Sequence, residues 1–353
     1  MAPSFSRQVA SHGLQIVDNL HYALRKILRE SDEAVSHLRG AWEGQMFSDA
    51  FEIHDDRFRG LILPNVHVEK LWTGGRWLEG PVYFPAGRYL LFSDIPNDRL
   101  MRWDETDNSV SIFENPCGFQ NGHTIDREGR LIACEHGERR VSRVEHDGSV
   151  TVLASHYQGK RLNSPNDVVV KSDGSIWFTD PTYGIDSDYE GHRSPSEIGS
   201  SNVYRVDPAD GHVSIVADDL VKPNGLAFNH DETKLYIVDS GVTHSADGPR
   251  HIREFDVAPD GKTLGNDRIL AACNQGIYDG MRLDEKGNIW VSAADGVHCL
   301  SNGGELLGKI RIPETTANVV FGGARKNRLF ICATQSLYAV FLQTRAMARP
   351  ATT

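Results

Sequence analysis

The sequence predicts an all-β fold, a six-bladed β-propeller preceded by a short helical extension. One observation is a unit that recurs six times, opening EGPVYF at Glu79, NGHTID at Asn121, NDVVV at Asn166, NGLAF at Asn224, DGMRLD at Asp279 and NVVFGG at Asn318. Successive openings lie 42, 45, 58, 55 and 39 residues apart, the length of one four-stranded blade with occasional loop insertions. The other is a short apolar run eight or nine residues after each opening: GRYLLFSD, GRLIACE, GSIWFTD, TKLYIVD, GNIWVSA and NRLFICA. Runs of that length, bounded by polar and turn residues, read as strands buried on both faces.

The outer strands follow in order. The first unit continues with DRLMRWD and SVSIFEN, the second with RRVSRVEHDG and SVTVLA, and the third with NVYRVDPADG and HVSIVADD. Asp-Gly turns separate the last two pairs. The fourth runs through HIREFDVAPDG, and the fifth through GVHCLSNGG and ELLGKIRI. The sixth has only SLYAVFLQ, one strand short, and NVHVEKLW upstream of Glu79 supplies the missing one. A strand near residues 65–72 therefore closes the ring, which removes the open edges of a linear array. The propeller domain is expected over 51–353.

Residues 1–50 differ in kind. Ile16, Leu20, Leu24, Leu28, Val35 and Leu38 fall near helical spacing, predicting two helices broken at Ser31. Ser31 is a candidate N-cap, with Asp32 and Glu33 placing negative charge at the positive end of the helix dipole. These helices are expected to cap the propeller or to pair two copies as a homo-oligomer. A polar insertion rich in Gly, Ser and Pro, 184–201, lengthens the third unit and is expected to be a surface loop or lid.

Composition sets limits. The 353 residues carry a formal charge of −11, and 39% are hydrophobic, which suits a globular domain and argues against nucleic acid or an anionic membrane surface as partner. No apolar run is long enough to span a bilayer, and MAPSFSRQVASHG lacks the apolar core of a secretory signal. A cytoplasmic protein is expected. The five cysteines show no CxxC spacing and read as small buried hydrophobes.

Function is sought where the six units converge. Each opening residue points at a shared central channel, so Glu79, Asn121, Asn166, Asn224, Asp279 and Asn318 form a ring of two carboxylates and four amides. Hard divalent cations take oxygen ligands of these kinds, and two carboxylates balance a charge of +2. The end of each second strand returns to the same mouth, bringing Asp94, Glu135, His136, Asp180, Tyr183, Asp239 and Ser240 there. His136 is a candidate donor or proton carrier, whereas His123 and the aspartates read as structural. No GxSxG nucleophile motif is present.

The ordered segments WLEGPVYFPAGRYLLFSDIPNDRLMRWD, NGHTIDREGRLIACEHGERRVSR, RLNSPNDVVVKSDGSIWFTDPTYGI, PNGLAFNHDETKLYIVD and DGMRLDEKGNIWVS resemble the gluconolactonase branch of the SMP-30/gluconolactonase/regucalcin-like family. The resemblance runs from about Phe51 to the C-terminus. It implies a calcium-binding propeller that hydrolyses sugar lactones, with Glu79, Asn166, Asn224 and Asp279 as metal ligands. Animal members carry an Arg two residues before the Asn of the PND-type motif, where this chain has Ser164. The expected cofactor is one divalent cation in the channel, calcium first, with zinc, manganese and magnesium as other candidates. The expected partner is a small-molecule lactone. Asp279 is the expected base for water attack, and Asn121, His136 and Tyr183 are the expected substrate contacts. Hydrolysis of phosphotriesters or other activated esters, as in the similar propeller of diisopropyl fluorophosphatase, and a non-catalytic ligand-binding propeller are the alternatives.

Overall fold

The structure is a computed structural model and describes residues 48–348. The predicted helices of 1–50 fall outside these residues, apart from the last three positions. From Phe51 onward the fold is a six-bladed propeller built almost wholly of antiparallel strands.

The first blade comprises Leu78–Phe84, Tyr89–Asp94, Arg99–Asp104 and Val110–Glu114, and the second Gln120–Ile125, Leu131–Glu135, Arg140–Val144 and Val150–Ala154. The third holds Val168–Val170, Ile176–Asp180, Asn202–Val206 and Val213–Ala217; the fourth Pro223–Phe228, Lys234–Asp239, His251–Val257 and Leu264–Ala272. The fifth contains Met281–Leu283, Ile289–Ala293, Gly296–Leu300 and Leu306–Arg311. Each inner strand touches the inner strands of the blades before and after it, and the sixth, Thr316–Gly322, touches the first. The array is thus closed.

Closure uses both ends of the propeller. The sixth blade has Thr316–Gly322, Arg328–Ala333 and Ser336–Phe341, and its fourth strand is Glu69–Thr73, paired with Glu69 opposite Ala339 and Thr73 opposite Ser336. Side chains reinforce the seam: Arg328 donates to Glu69 at 2.6 Å, and Trp72 packs on Phe92 of the first blade at 5.9 Å. A strand the sequence pattern does not signal, Phe51–Ile53, adds a fifth member to the fifth blade by pairing with Leu306–Arg311. Three residues are too few to show the alternation by which strands are recognised.

The core lies between blades. The second strands are buried nearly throughout, because a neighbouring blade covers each face. Ile132, Cys134, Phe178 and Tyr204 join the second blade to the third, and Trp177, Leu226 and Leu235 join the third to the fourth. Leu78, Phe92, Trp103 and Phe330 join the sixth to the first. Burying each such aromatic or aliphatic side chain contributes about 1.5–3 kcal/mol, so the blades stabilise one another more than themselves. All five cysteines are free and buried. Among the described residues, no helix is long and apolar enough to cross a membrane.

A chain starting at Gly74, lacking both N-terminal strands, should melt about 10 °C or more below a chain starting at Asp49, since the sixth blade then presents an unpaired edge. Matching melting temperatures in calorimetry would show that the seam adds nothing.

Candidate functional site

The ring residues sit where the inner strands begin, and each beginning is irregular. In four blades the ladder slips at the ring position, between Glu79 and Val82, Gln120 and His123, Pro223 and Leu226, and Thr316 and Asn318. In the other two, Asn166 and Asp279 lie just ahead of their strands. Such bulges re-aim a side chain out of the pleat. All six ring residues are buried, between 2% and 8% exposed.

Close approach at the axis explains the residue that follows each opening. A Cβ on Gly80 would lie 1.7 Å from the Asn121 carbonyl oxygen, one on Gly122 2.4 Å from that of Asn166, and one on Gly225 2.3 Å from that of Asp279. A Cβ on Gly280 would strike the Asn318 side chain at 2.0 Å. Only glycine lets neighbouring blades meet there.

Loops ahead of the ring are held by the second strands. Asp94 accepts from the Arg76 amide, Asp180 from Asn163 and Asp239 from Val221, each at 2.8–2.9 Å and each three residues before a ring residue. Ser240 and Ser292 donate to the carbonyls of Tyr278 and Ala317, each one residue ahead of the next ring position. The recurring aspartates are therefore loop clamps that set the height of the ring.

Electrostatically the centre is under-compensated. Glu79 accepts from the Gly80 amide at 2.8 Å and from Asn318 Nδ2 at 3.0 Å, but no Lys or Arg among the described residues pairs with it or with Asp279. Burial first, then repulsion from neighbouring carboxylates, pushes both above the ordinary carboxylate range. Asn224 offsets part of this by bonding Asp279. Asp167, not singled out by the sequence, adds a further buried carboxylate. One of its oxygens has no hydrogen-bond partner, and the nearest cation, Arg282, is 3.7 Å away. The available signal was that Asp stands where four of the six units have Gly.

These residues fit a hard cation in chemistry: two buried, uncompensated carboxylates beside amide oxygens, which is the ligand set of calcium rather than of zinc. Among the described residues, no group of three or more His, Cys, Asp and Glu forms a metal cluster. Any site here depends on the amides.

Tyr183, on the short helix Tyr183–Asp186, stands at the mouth, its hydroxyl 3.1 Å from Thr243 Oγ1. Asn121 Nδ2 donates to His136 Nε2 at 3.2 Å, and His136 Nδ1 donates to the Glu190 carbonyl at 3.0 Å. Both ring nitrogens of His136 are thus used within the protein. Burial lowers its pKa to about 4, so the imidazole is neutral and braces Asn121 from behind. His123 is likewise occupied on both nitrogens, by Gly80 and Gln120. Ser164 donates to the Pro181 carbonyl and accepts from the Gly184 amide, which ties down the start of the 184–201 insertion. A cavity of 660 Å³ opens at the opposite end of the inner strands, walled by Val82, Val169, Phe228 and Phe321, and is separate from the ring.

A closed six-bladed ring with an acid–amide hub defines the class of protein, and comparison with known proteins defines the family. Residues 77–335 match the SMP-30/gluconolactonase/LRE-like region, and the chain belongs to that family. It is 31% identical to a gluconolactonase of Zymomonas mobilis, over 82% of this chain and 85% of that one. The solved structure of XC5397, a gluconolactonase of Xanthomonas campestris, superposes with a TM-score of 0.78 at 35% identity, over 83% of this chain and 95% of that one. A calcium-binding regucalcin from Agrobacterium tumefaciens shares the fold, with a TM-score of 0.67 at 17% identity over 82% of this chain and 98% of that one.

The raised carboxylates give a stability test in metal-free solution. The folded state holds these protons more tightly than the unfolded chain, so their contribution is complete below about pH 4 and is lost as pH rises through the raised values. Glu79→Gln and Asp279→Asn should each melt a few degrees above the parent at pH 8, at about 2–4 °C per kcal/mol, and should flatten the pH dependence. Variants that melt below the parent across the whole pH range would contradict an uncompensated pair.

Proposed function

We propose that this chain is a calcium-dependent lactonase of the gluconolactonase type, which opens sugar lactones by adding water across the ring ester. The observation that carries this reading is the buried pair Glu79 and Asp279, unpaired by any cationic side chain among the described residues and flanked by amide side chains. Family membership and the gluconolactonase relatives support the substrate class.

In this reading Glu79, Asn166, Asn224 and Asp279 would hold one divalent cation, which supplies Lewis-acid polarisation of the lactone carbonyl when bound. Asp279 accepts the proton of the attacking water through a carboxylate oxygen. The new C–O bond forms at the carbonyl carbon, the ring C–O bond breaks, and the leaving ring oxygen takes a proton to give the hydroxy acid. Asn121, held from behind by His136, and Tyr183 orient the sugar at the mouth. Burial of the whole set strengthens each of these interactions relative to water.

Chelator should abolish hydrolysis of gluconolactone and added calcium should restore it, as followed by proton release. At saturating calcium, with occupancy measured alongside, Asp279→Asn should lower turnover by roughly 10²- to 10⁴-fold, the usual cost of losing a general base. Full activity in excess chelator would defeat the metal-dependent reading. Near-parental turnover by the metal-loaded variant would leave Asp279 a ligand only.

A further inference from the structure

The register that assembles the hub also assembles a second layer further along the axis. Three residues past the six ring positions stand Val82, Thr124, Val169, Ala227, Arg282 and Phe321, and all six line the 660 Å³ cavity at the far end of the inner strands. Four of them are apolar and one carries a hydroxyl; Arg282 alone is charged. The C-terminal stretch completes the wall with Met347. It is tied on by the Ala346 amide donating to the Lys326 carbonyl at 2.7 Å and the Met347 amide donating to the Leu283 carbonyl at 3.1 Å. The cavity is therefore walled by all six blades, and its volume lies in the range of small-molecule sites.

The one carboxylate and the one amide on this wall are already committed within the protein. Glu232 accepts from the Ser172 amide at 2.8 Å and from its hydroxyl, and lies 3.4 Å from Lys171 Nζ. Asn229 Oδ1 accepts from the Lys234 amide at 2.9 Å, and its Nδ2 donates to Thr233 at 3.1 Å. The cations are not matched in the same way. Arg282 donates to the Met281 carbonyl at 2.7 Å and stops 3.7 Å short of Asp167 Oδ2, an oxygen that has no hydrogen-bond partner. Most of its N–H donors thus have no acceptor among the described residues. The Arg282 side chain is only 19% exposed, so unmet donors there are costly unless a ligand meets them. Lys326, exposed, has no side-chain partner among the described residues, and Arg127 adds a third positive charge to the lining. Three cations therefore line an apolar cavity, against one carboxylate that is already paired, on a chain whose formal charge is −11. Low-dielectric walls focus such a field.

We propose that this cavity is a binding site for a free amphipathic carboxylate, whose anionic head is held by the cations of the lining, Arg282 first, and whose hydrocarbon chain fills the space between the inner strands. The fork of the guanidinium suits a carboxylate head. The site shares no residue with the ring and is independent of the lactonase reading. The two ends of the axis are complementary in kind: the hub offers acceptors to a cation, and the cavity offers donors to an anion.

Calorimetric titration of the full chain with octanoate, and with 1-octanol as the uncharged chain of the same length, tests this. The parent should bind one octanoate and should bind octanol at least about 10-fold more weakly, the worth of a hydrogen bond to a charged group. Arg282→Gln should weaken octanoate by about 10- to 100-fold and leave octanol unchanged. Lys326→Gln, at an exposed position, should weaken octanoate by about two- to five-fold. Thr124→Trp, which fills the cavity, should abolish binding of both. Should Arg282→Gln fail to fold through loss of its approach to Asp167, the other two variants and the octanol comparison still decide the outcome. Equal affinity for octanol and octanoate overturns the proposal, as does octanoate binding that survives Thr124→Trp or is unchanged in a folded Arg282→Gln. Absence of octanoate binding by the parent overturns it as well.

Discussion

The closeness with which six inner strands meet at one axis governs the rest of the molecule. Gly80, Gly122, Gly225 and Gly280 have a neighbouring blade's backbone or side chain where a Cβ would go, and that contact sets the diameter of the hub. A narrow hub forces ring side chains of adjacent blades into mutual contact, as with Asn318 on Glu79 and Asn224 on Asp279. It also buries two carboxylates. Their burial without a positive partner among the described residues would be hard to sustain in an ordinary core.

The cost is tolerated because it is local and the scaffold around it is not. Inter-blade layers of large apolar side chains such as Trp103, Trp177 and Trp290 surround the hub, and the aspartate clamps at Asp94, Asp180 and Asp239 hold the approach loops by backbone hydrogen bonds that do not depend on the state of the ring. Stability is thus distributed over the interfaces, while the uncompensated charge is confined to the axis. This separation lets a few loop residues change at the mouth without disturbing the blades.

The blades and the hub were legible in the sequence because repetition multiplies a weak local signal. Asn166 alone is a turn asparagine, and Asp279 alone is half of an Asp-Gly turn; only their common register with Glu79 and Asn224 marks them as facing one axis. What repetition does not encode was not legible. Asp167 occupies a place where four of the other five units have glycine, a departure that looks like loss of the motif rather than gain of a charge. Glu190 lies in a polar insertion with no period, and its relation to the hub runs through His136, 54 residues away in the chain. The role of His136 itself depends on which atoms reach its two nitrogens, and spacing carries no information about that. The strand Phe51–Ile53 is too short for pattern to register.

The bond between Asn318 and Glu79 spans 239 residues, and the strand that seals the sixth blade comes from upstream of the first. The hub therefore cannot exist in a partly made chain. While the ribosome is still extending the fifth blade, Glu79 has no Asn318 to meet, and the strand Glu69–Thr73 has no partner to pair with. Four or five stacked blades already bury the layers between them and still lack the closed ring. The complete ring then forms in one step, when the last inner strand docks against the first, so that closure acts as a check on the completeness of the polypeptide as well as on its shape.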